Sequence, residues 1–547
     1  MNITPPLQID GYKVDHRRQY NRKTKKIVAN YTARSTRRKN TETVVFAGAQ
    51  YFLKEYLIRQ WNENFFSRPV EEVVGKFNRI INNYLGPNEV GDQHIRDLHA
   101  LGYLPIVILA LPEGSEHPLK VPSLVIWNTH PDFYWVTNYL ETILSTSLWG
   151  MCTSATTAHQ YKKLLTKYAV ETVGSADFVP FQGHDFSFRG MFGMEAACMS
   201  GASHAFSFVG SDTVPVIEFL EEYYNANSDK ELVICSVAAT EHSVACSVIL
   251  DFVNKVRIEQ TKNGKTVIED ELMNLADIHY VRRLITEVYP KGIVSIVADS
   301  FDYWNTLTNT TRALKDVIMS RDGKVVFRPD TGDPVEVVCG LDKTKNNLIE
   351  ENGRFYKKGD YVSHCDQSGA EVWGEFKKGE EVSSAEVKGS IECLWEIFGG
   401  TISSQGYKVL DSHVGLIYGD SITLERCENI CEGLKKKGFA STNIVFGIGS
   451  YTYQYVTRDT DGYAVKATYA EIDDEPLEIY KAPKGAAFKK SAKGLTAVFK
   501  DRNGFYLKDG ATWDEVLNCE LVKVFENGKL MKDYTLSEVR NNLSKYL

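Results

Sequence analysis

Six short apolar runs in the middle of the chain each break off into charged or glycine residues. Phe206–Val209 precedes Gly210-Ser211-Asp212, Leu232–Ala238 precedes Glu241-His242, and Ile293–Ala298 precedes Asp299. Lys324–Phe327 precedes Arg328-Pro329-Asp330, Val414–Tyr418 precedes Gly419-Asp420, and Asn443–Phe446 precedes Gly447-Ile448-Gly449. Short Val/Ile-rich runs separated by helix-length segments predict buried parallel strands in an α/β fold. If such strands close into a barrel, their carboxyl ends share one face, and the loops there build the active site.

Outside this series, residues 43–61 and 67–86 read as helices, and Leu104–Leu111 and Val121–Trp127 as strands. Phe133–Trp149 reads as a long aromatic helix, and Val214–Tyr224 and Thr423–Lys437 as crossover helices. Residues 257–290 lengthen one crossover. Residues 340–392 hold an internal echo, 353–360 against 374–380, which predicts a small β insert on a loop. From about residue 460 the pattern turns to short strands with Asn503-Gly504, Asp509-Gly510 and Asn527-Gly528 as turns, closing on a helix capped by Thr535 and Glu538.

At 547 residues the chain has room for two or three domains, and its 43% hydrophobic and 24% charged content is that of a globular protein. The net charge of −8 gives it no general attraction for nucleic acid. Residues 12–39 nevertheless carry eleven Lys or Arg against one acid, Asp15, which reads as a solvated face or a nucleic-acid arm. A second basic cluster holds Lys481, Lys484, Lys489, Lys490 and Lys493. No signal-type amino terminus or membrane-length apolar stretch is expected, and ten cysteines without paired spacing suit a reduced, cytoplasmic setting.

The candidate chemistry sits at the ends of the predicted strands. Asp299 and Asp330 are each read either as a helix N-cap or as a Mg²⁺ ligand beside Arg328, which would neutralise phosphates. Gly449 and Ser450 lie in a glycine turn able to approach phosphate, and at the weaker Gly419-Asp420 the Asp reads as a holder of ribose hydroxyls or as a helix cap. His242, next to Glu241, is read as a base or phosphate acceptor, or else as a structural histidine. Phe186 and Arg189 supply a stacking ring and a cation, or a core aromatic and a surface arginine.

Taken in order, these segments resemble the nicotinamide phosphoribosyltransferase family. The matching stretches begin at Asp10-Gly11-Tyr12 and Thr43–Tyr51, continue through Tyr134–Leu144 and His184–Gly190, and then Gly210–Val214 and Glu241–Ser243. They end with Asp299–Asp302, Arg328–Gly332, Gly419-Asp420, Phe446–Gly449 and Thr457–Asp459. The resemblance implies an irregular (β/α) barrel of the type II phosphoribosyltransferases, with a second α/β domain formed by the N- and C-terminal segments and a small β insert. The implied divisions are 1–145, 146–460 with the insert at 340–392, and 461–547. The implied reaction joins nicotinamide to 5-phosphoribosyl-1-pyrophosphate with Mg²⁺, in NAD salvage, in a homodimer that shares its active sites. ATP hydrolysis would be coupled through phosphorylation of His242.

By position, Phe186 would stack on nicotinamide opposite the partner's Tyr12, and Asp212 would accept from the carboxamide nitrogen. Arg189 and Arg328 would bind diphosphate or phosphate, and Asp299 and Asp330 would hold Mg²⁺. Gly419 and Asp420 would bind ribose, Gly449 and Ser450 phosphate, and Arg458, Lys466 and Lys489 would reach in from the neighbouring subunit. The chain departs from the family pattern at Ser450, where a glycine is usual, at Ala464, where a serine is usual, and in the length of 257–290 and 340–392. The alternatives are a nicotinate phosphoribosyltransferase, against which Asp212 argues by charge repulsion, and a non-catalytic binding protein on the same fold.

Overall fold

The computed structural model describes residues 3–365, 371–419, 421–480 and 492–547. Seven short parallel strands form the central sheet: β1 (Gly183–Asp185), β2 (Gly210–Ser211), β3 (Ala238–Ala239), β4 (Val294–Val297), β5 (Val325–Arg328), β6 (Val414–Tyr418) and β7 (Ile444–Ile448). Their order is β2-β1-β7-β6-β5-β4-β3. A parallel bridge between Gly210 and Cys235, just before β3, joins the two ends and closes an irregular barrel. Val, Ile and Phe fill the strands because helices cover the outer face, as parallel sheets require.

Five of the six apolar runs contain or overlap their strand. The exception is Phe206–Val209, which ends the helix Met194–Ala205, so that its strand falls on the two polar positions that follow. β1 has no apolar run at all. Its three residues pair with β7 on one side and β2 on the other, and burial of the site itself holds them there.

A second seven-stranded sheet draws on both chain ends. Thr24–Ala33 lies between Tyr463–Ile472 and Pro122–Asn128, and Ile106–Ala110 pairs with Val522–Glu526. The basic stretch 12–39 therefore contains a ten-residue, mostly buried strand. Its cations meet carboxylates distant in sequence: Lys13 with Glu141 (2.6 Å), Arg18 with Glu89 (2.8 Å), Lys25 with Asp474 (2.6 Å) and Arg38 with Asp461 (3.0 Å). Such pairing explains the charge without a nucleic-acid partner.

The helix Glu141–Val173 is twice as long as the aromatic run announced, because Ser, Thr and Ala continue it where apolar periodicity fades. At about 1.5 Å per residue it extends roughly 50 Å. Leu144 and Leu148 near its start join the core under the end-derived sheet, while Tyr161 and Leu165 join the core around the barrel. Arg540, on the terminal helix Leu536–Ser544, makes a second tie by donating to the carbonyls of Ala205, Leu232 and Val233.

Residues 257–290 belong to two helices, His242–Lys262 and Glu269–Arg283, packed on each other. The insert is a three-stranded antiparallel sheet, Leu348–Glu351, Arg354–Cys365 and Glu371–Val382, ending before the capped helix Ser384–Lys388. Its internal echo pairs with itself: Lys358 lies opposite Lys378 and Tyr361 opposite Phe376, with register shifts around the two Lys-Lys-Gly segments. Asn527-Gly528 turns a hairpin as expected, whereas Gly510 (φ +61°) is a bulge within the strand Gly504–Ala511.

Candidate active site

The carboxyl ends of β3, β4 and β5 bring His242, Asp299 and Asp330 together. His242 opens the helix Met-free run His242–Lys262 directly after β3, and its Nδ1 bonds the Ser300 hydroxyl at 3.0 Å. That bond turns Nε2 toward Asp299 Oδ1 (3.7 Å) and Asp330 Oδ2 (3.9 Å). Glu241 stands at the N-cap position, but its carboxylate accepts from the Ser243 hydroxyl and, among the described residues, from no helix amide.

Asp299 is 4% exposed. Its Oδ2 accepts from the Asp330 amide (2.9 Å) and the Thr331 hydroxyl (2.7 Å), which fixes the side chain. Its Oδ1 is buried and has no hydrogen-bond partner among the described residues. Helix capping is done by other carboxylates: Asp302 accepts from Asn305 N, and Asp333 from Val335 N and Glu336 N. The capping role read as one alternative from sequence thus falls to Asp302 and Asp333.

An orphaned, buried carboxylate oxygen beside a second carboxylate fits a hard divalent cation that takes its remaining ligands from water and substrate phosphate. Among the described residues no group of three or more His, Cys, Asp or Glu is arranged to hold a metal without such help. Arg328 completes this side of the site. It donates to the Thr240 carbonyl (2.9 Å), and its Nε lies 3.6 Å from Asp330 Oδ1.

Across the barrel mouth, His184 Nε2 donates to Asp212 Oδ1 (2.9 Å), and the Ser236 hydroxyl donates to the same oxygen (2.5 Å). Burial pushes the Asp212 carboxyl up, but these two bonds and the nearby Arg328 guanidinium outweigh it and hold it below the usual carboxylate range. The Phe186 ring sits 4.7 Å from the His184 ring. His184 and Ser236 carried no signal of their own as partners of Asp212, because the contact joins three separate strand ends.

The mouth opens into a cavity of about 250 Å³ inside the barrel. His184, Phe186, Asp212 and Arg328 line it at one end, and Ile293, Lys324, Val414 and Thr442 at the other. Burial pulls the Lys324 ammonium down, against the attraction of Asp411.

Two glycines act sterically. A Cβ on Gly419 would strike Asp330 Oδ1, and one on Gly447 would meet Phe186 at 2.6 Å. Gly449 caps the short helix Ser450–Tyr453, and the Ser450 hydroxyl packs against Gly190. Arg189 is exposed beside this turn, in the short helix Phe188–Gly190.

Tyr12, Arg458 and Lys466 do not join this group within the chain. Tyr12 is 65% exposed and contacts His16 and Lys13. Burial lowers the Lys466 pKa, and Arg34, Lys13 and Arg458 add to this against the pull of Glu141, so Lys466 and Arg458 share a cationic patch that Lys13 links to Tyr12. Asp420 and Lys489, with Lys481, Lys484 and Lys490, lie outside the described residues.

The barrel thus gathers carboxylates, a histidine and an arginine around one mouth, the arrangement of an enzyme site, and comparison with known proteins supplies its class. The model of the nicotinate phosphoribosyltransferase family matches residues 181–529, and that of the nicotinamide phosphoribosyltransferase N-terminal domain matches residues 5–108. The chain is 44% identical to nicotinamide phosphoribosyltransferase of Acinetobacter baylyi, over 100% of this chain and 98% of the relative. It is 29% identical to the Mycoplasma pneumoniae protein of that name, over 89% and 94%. Among solved structures, a nicotinate-nucleotide pyrophosphorylase from Pyrococcus furiosus shares the fold with TM-score 0.53 at 14% identity, covering 99% and 95% of the two chains. Human nicotinic acid phosphoribosyltransferase does so with TM-score 0.51 at 12% identity, covering 98% and 93%. The chain belongs to the nicotinate phosphoribosyltransferase family, as an enzyme of its nicotinamide phosphoribosyltransferase group.

Proposed function

We propose that this enzyme transfers the phosphoribosyl group of 5-phosphoribosyl-1-pyrophosphate to the ring nitrogen of nicotinamide, in NAD salvage. The observation that carries the reading is Asp212. It is held ionised at the barrel mouth beside Phe186, with Oδ1 saturated by two donors and Oδ2 left without a bond among the described residues. An acceptor placed there suits a carboxamide N–H and repels a carboxylate.

In the reaction the ring nitrogen forms a bond to the anomeric carbon as the bond to the pyrophosphate oxygen breaks. The leaving group takes the electron pair. Phe186 and Asp212 orient a weak nucleophile, so their contribution is chiefly positional. Arg328 and Arg189 are the fixed cations for charge growing on the phosphates. Asp299 Oδ1 and Asp330 are the groups that would hold Mg²⁺, which when bound would neutralise diphosphate charge. His242, oriented by Ser300, would accept a phosphoryl group from ATP at Nε2, coupling hydrolysis to turnover. Tyr12, Arg458, Lys466 and Lys489 would complete the site of a partner subunit in a homodimer, a reading supported by the exposure of Tyr12, Arg458 and Lys466 and their separation from their own barrel mouth. No helix among the described residues is long and apolar enough to cross a membrane, and the proposed setting is the cytoplasm.

Product analysis by mass spectrometry tests the reading, with phosphoribosyl pyrophosphate, Mg²⁺ and either base, with and without ATP. Nicotinamide mononucleotide formed from nicotinamide, with little product from nicotinate, is the expected result. Nicotinate mononucleotide as the main product would overturn the base assignment, and an Asp212→Asn enzyme with unchanged preference would remove the role given to that residue.

A further inference from the structure

The environment of His184 ties the charge of the base pocket to pH. Nε2 is committed to Asp212. Nδ1 has no hydrogen-bond partner among the described residues and faces bare backbone: a Cβ on Gly210 would lie 2.9 Å from it. No donor opposes a second proton there. We propose that His184 sets base selectivity through its own charge: neutral, it leaves the pocket anionic and closed to a carboxylate-bearing ring, and protonated at Nδ1 it cancels the Asp212 charge and admits one.

The other polar groups facing this ring are held by bonds of their own. Asp212 is held low by its bonds. His204, from the helix Met194–Ala205, is lowered by burial and bonded to the Tyr453 hydroxyl (2.6 Å) and the Gly210 carbonyl (3.0 Å). Asp185, next along β1, accepts from Ser187 N (2.9 Å) and the Thr213 hydroxyl (2.7 Å), and Arg328 reaches across from β5 as a permanent cation. Histidine is the side chain that titrates near neutrality.

The assignment rests on the nicotinamide reading, and its test separates the two. The ratio of kcat/KM for nicotinamide to that for nicotinate is measured from about pH 8.5 to about pH 6. Protonations of shared groups, His242 and the phosphates included, cancel in that ratio. The ratio should fall by roughly tenfold or more between those limits, since nicotinate use follows protonation of Nδ1. His184→Gln, which keeps a donor and removes the titration, should give a flat ratio, while Ser236→Ala should keep the slope. A pH-independent wild-type ratio, or the same slope in His184→Gln, overturns the assignment. Should His184→Gln not fold, the wild-type and Ser236→Ala profiles decide it. Calorimetric binding of each base over the same pH range distinguishes the two failures. pH-dependent binding selectivity without turnover rejects the reaction and keeps the role of His184, whereas selectivity that is equal throughout rejects the role.

Discussion

Gly447 offers a direct test of how closely the barrel is fitted around its base pocket. It sits in β7 between β1 and β6, and a Cβ there would stand 2.6 Å from Phe186 Cδ2, 2.8 Å from the Tyr418 carbonyl oxygen and 2.9 Å from Gly419 Cα. Carbon atoms settle at roughly 3.5 Å, so Gly447→Ala must move the Phe186 ring by about 1 Å. Two of the three contacts are backbone of the neighbouring strand, which cannot turn aside as a side chain does. A misplacement of that size costs on the order of a hundredfold when it displaces an orienting group. The KM for nicotinamide should therefore rise between tenfold and a hundredfold, on the order expected for such a shift, with a much smaller change for phosphoribosyl pyrophosphate. Overpacking of about 1–3 kcal/mol should also lower the melting temperature by a few degrees. Steady-state kinetics varying each substrate, with calorimetric melting, reads both. A variant with wild-type KM for the base and wild-type melting would refute the steric reasoning.

Asp299→Asn keeps an acceptor for the Asp330 amide but removes charge from the buried Oδ1. Its kcat/KM should drop by at least about a hundredfold and its Mg²⁺ requirement should move to higher concentration, whereas an unaltered Mg²⁺ titration would exclude Asp299 as a ligand. Arg540→Ala leaves three carbonyls without their donor and should destabilise the protein by about 2–4 kcal/mol, read as a clear drop in melting temperature; melting unchanged within a degree or so would mean the tie is dispensable. Burial pushes the Glu116 carboxyl up, but the His159 ring 3.3 Å away and bonds from Lys163 and Thr43 hold it at about 2, below its ordinary value of 4.5. Its stabilisation is therefore complete above about pH 4.5 and is lost as pH falls toward 2. Glu116→Gln should be less stable than wild type at neutral pH and converge with it in acid, and parallel stability curves would count against the pairing.

Much of the barrel could be read in advance because parallel strands covered on both faces must be apolar, and five of the six runs held their strand. β1 could not be read, since three residues containing His184 and Asp185 carry no periodicity, and only their neighbours make them a strand. The strand Thr24–Ala33 was hidden by its lysines, whose counter-charges at Glu471 and Asp474 come from the far end of the chain. Asp299, Asp330, Arg328 and His242 were visible as strand-end chemistry and do converge. The bonds that shape Asp212 were not visible, because spacing along a chain does not reveal which strand ends meet across a mouth.

The single bridge between Gly210 and Cys235 has a dynamic meaning. Every other junction in the barrel wall pairs over at least two residues, but here β2 meets the segment before β3 through Ser211 N to the Cys235 carbonyl (3.0 Å) and Cys235 N to the Val209 carbonyl (2.6 Å). Among the described residues, side chains stitch this line through the Ser236 bond to Asp212 at the mouth and through Arg540, which joins Ala205 to Leu232 and Val233 away from it. The wall is thus thinnest where the base is recognised, and breathing of the barrel should begin there, with the amides of Ser211 and Cys235 exchanging their hydrogens ahead of those in β5 and β6. A ring held by Asp212 would close that line from inside, so occupancy of the pocket should register as slowed exchange along the seam.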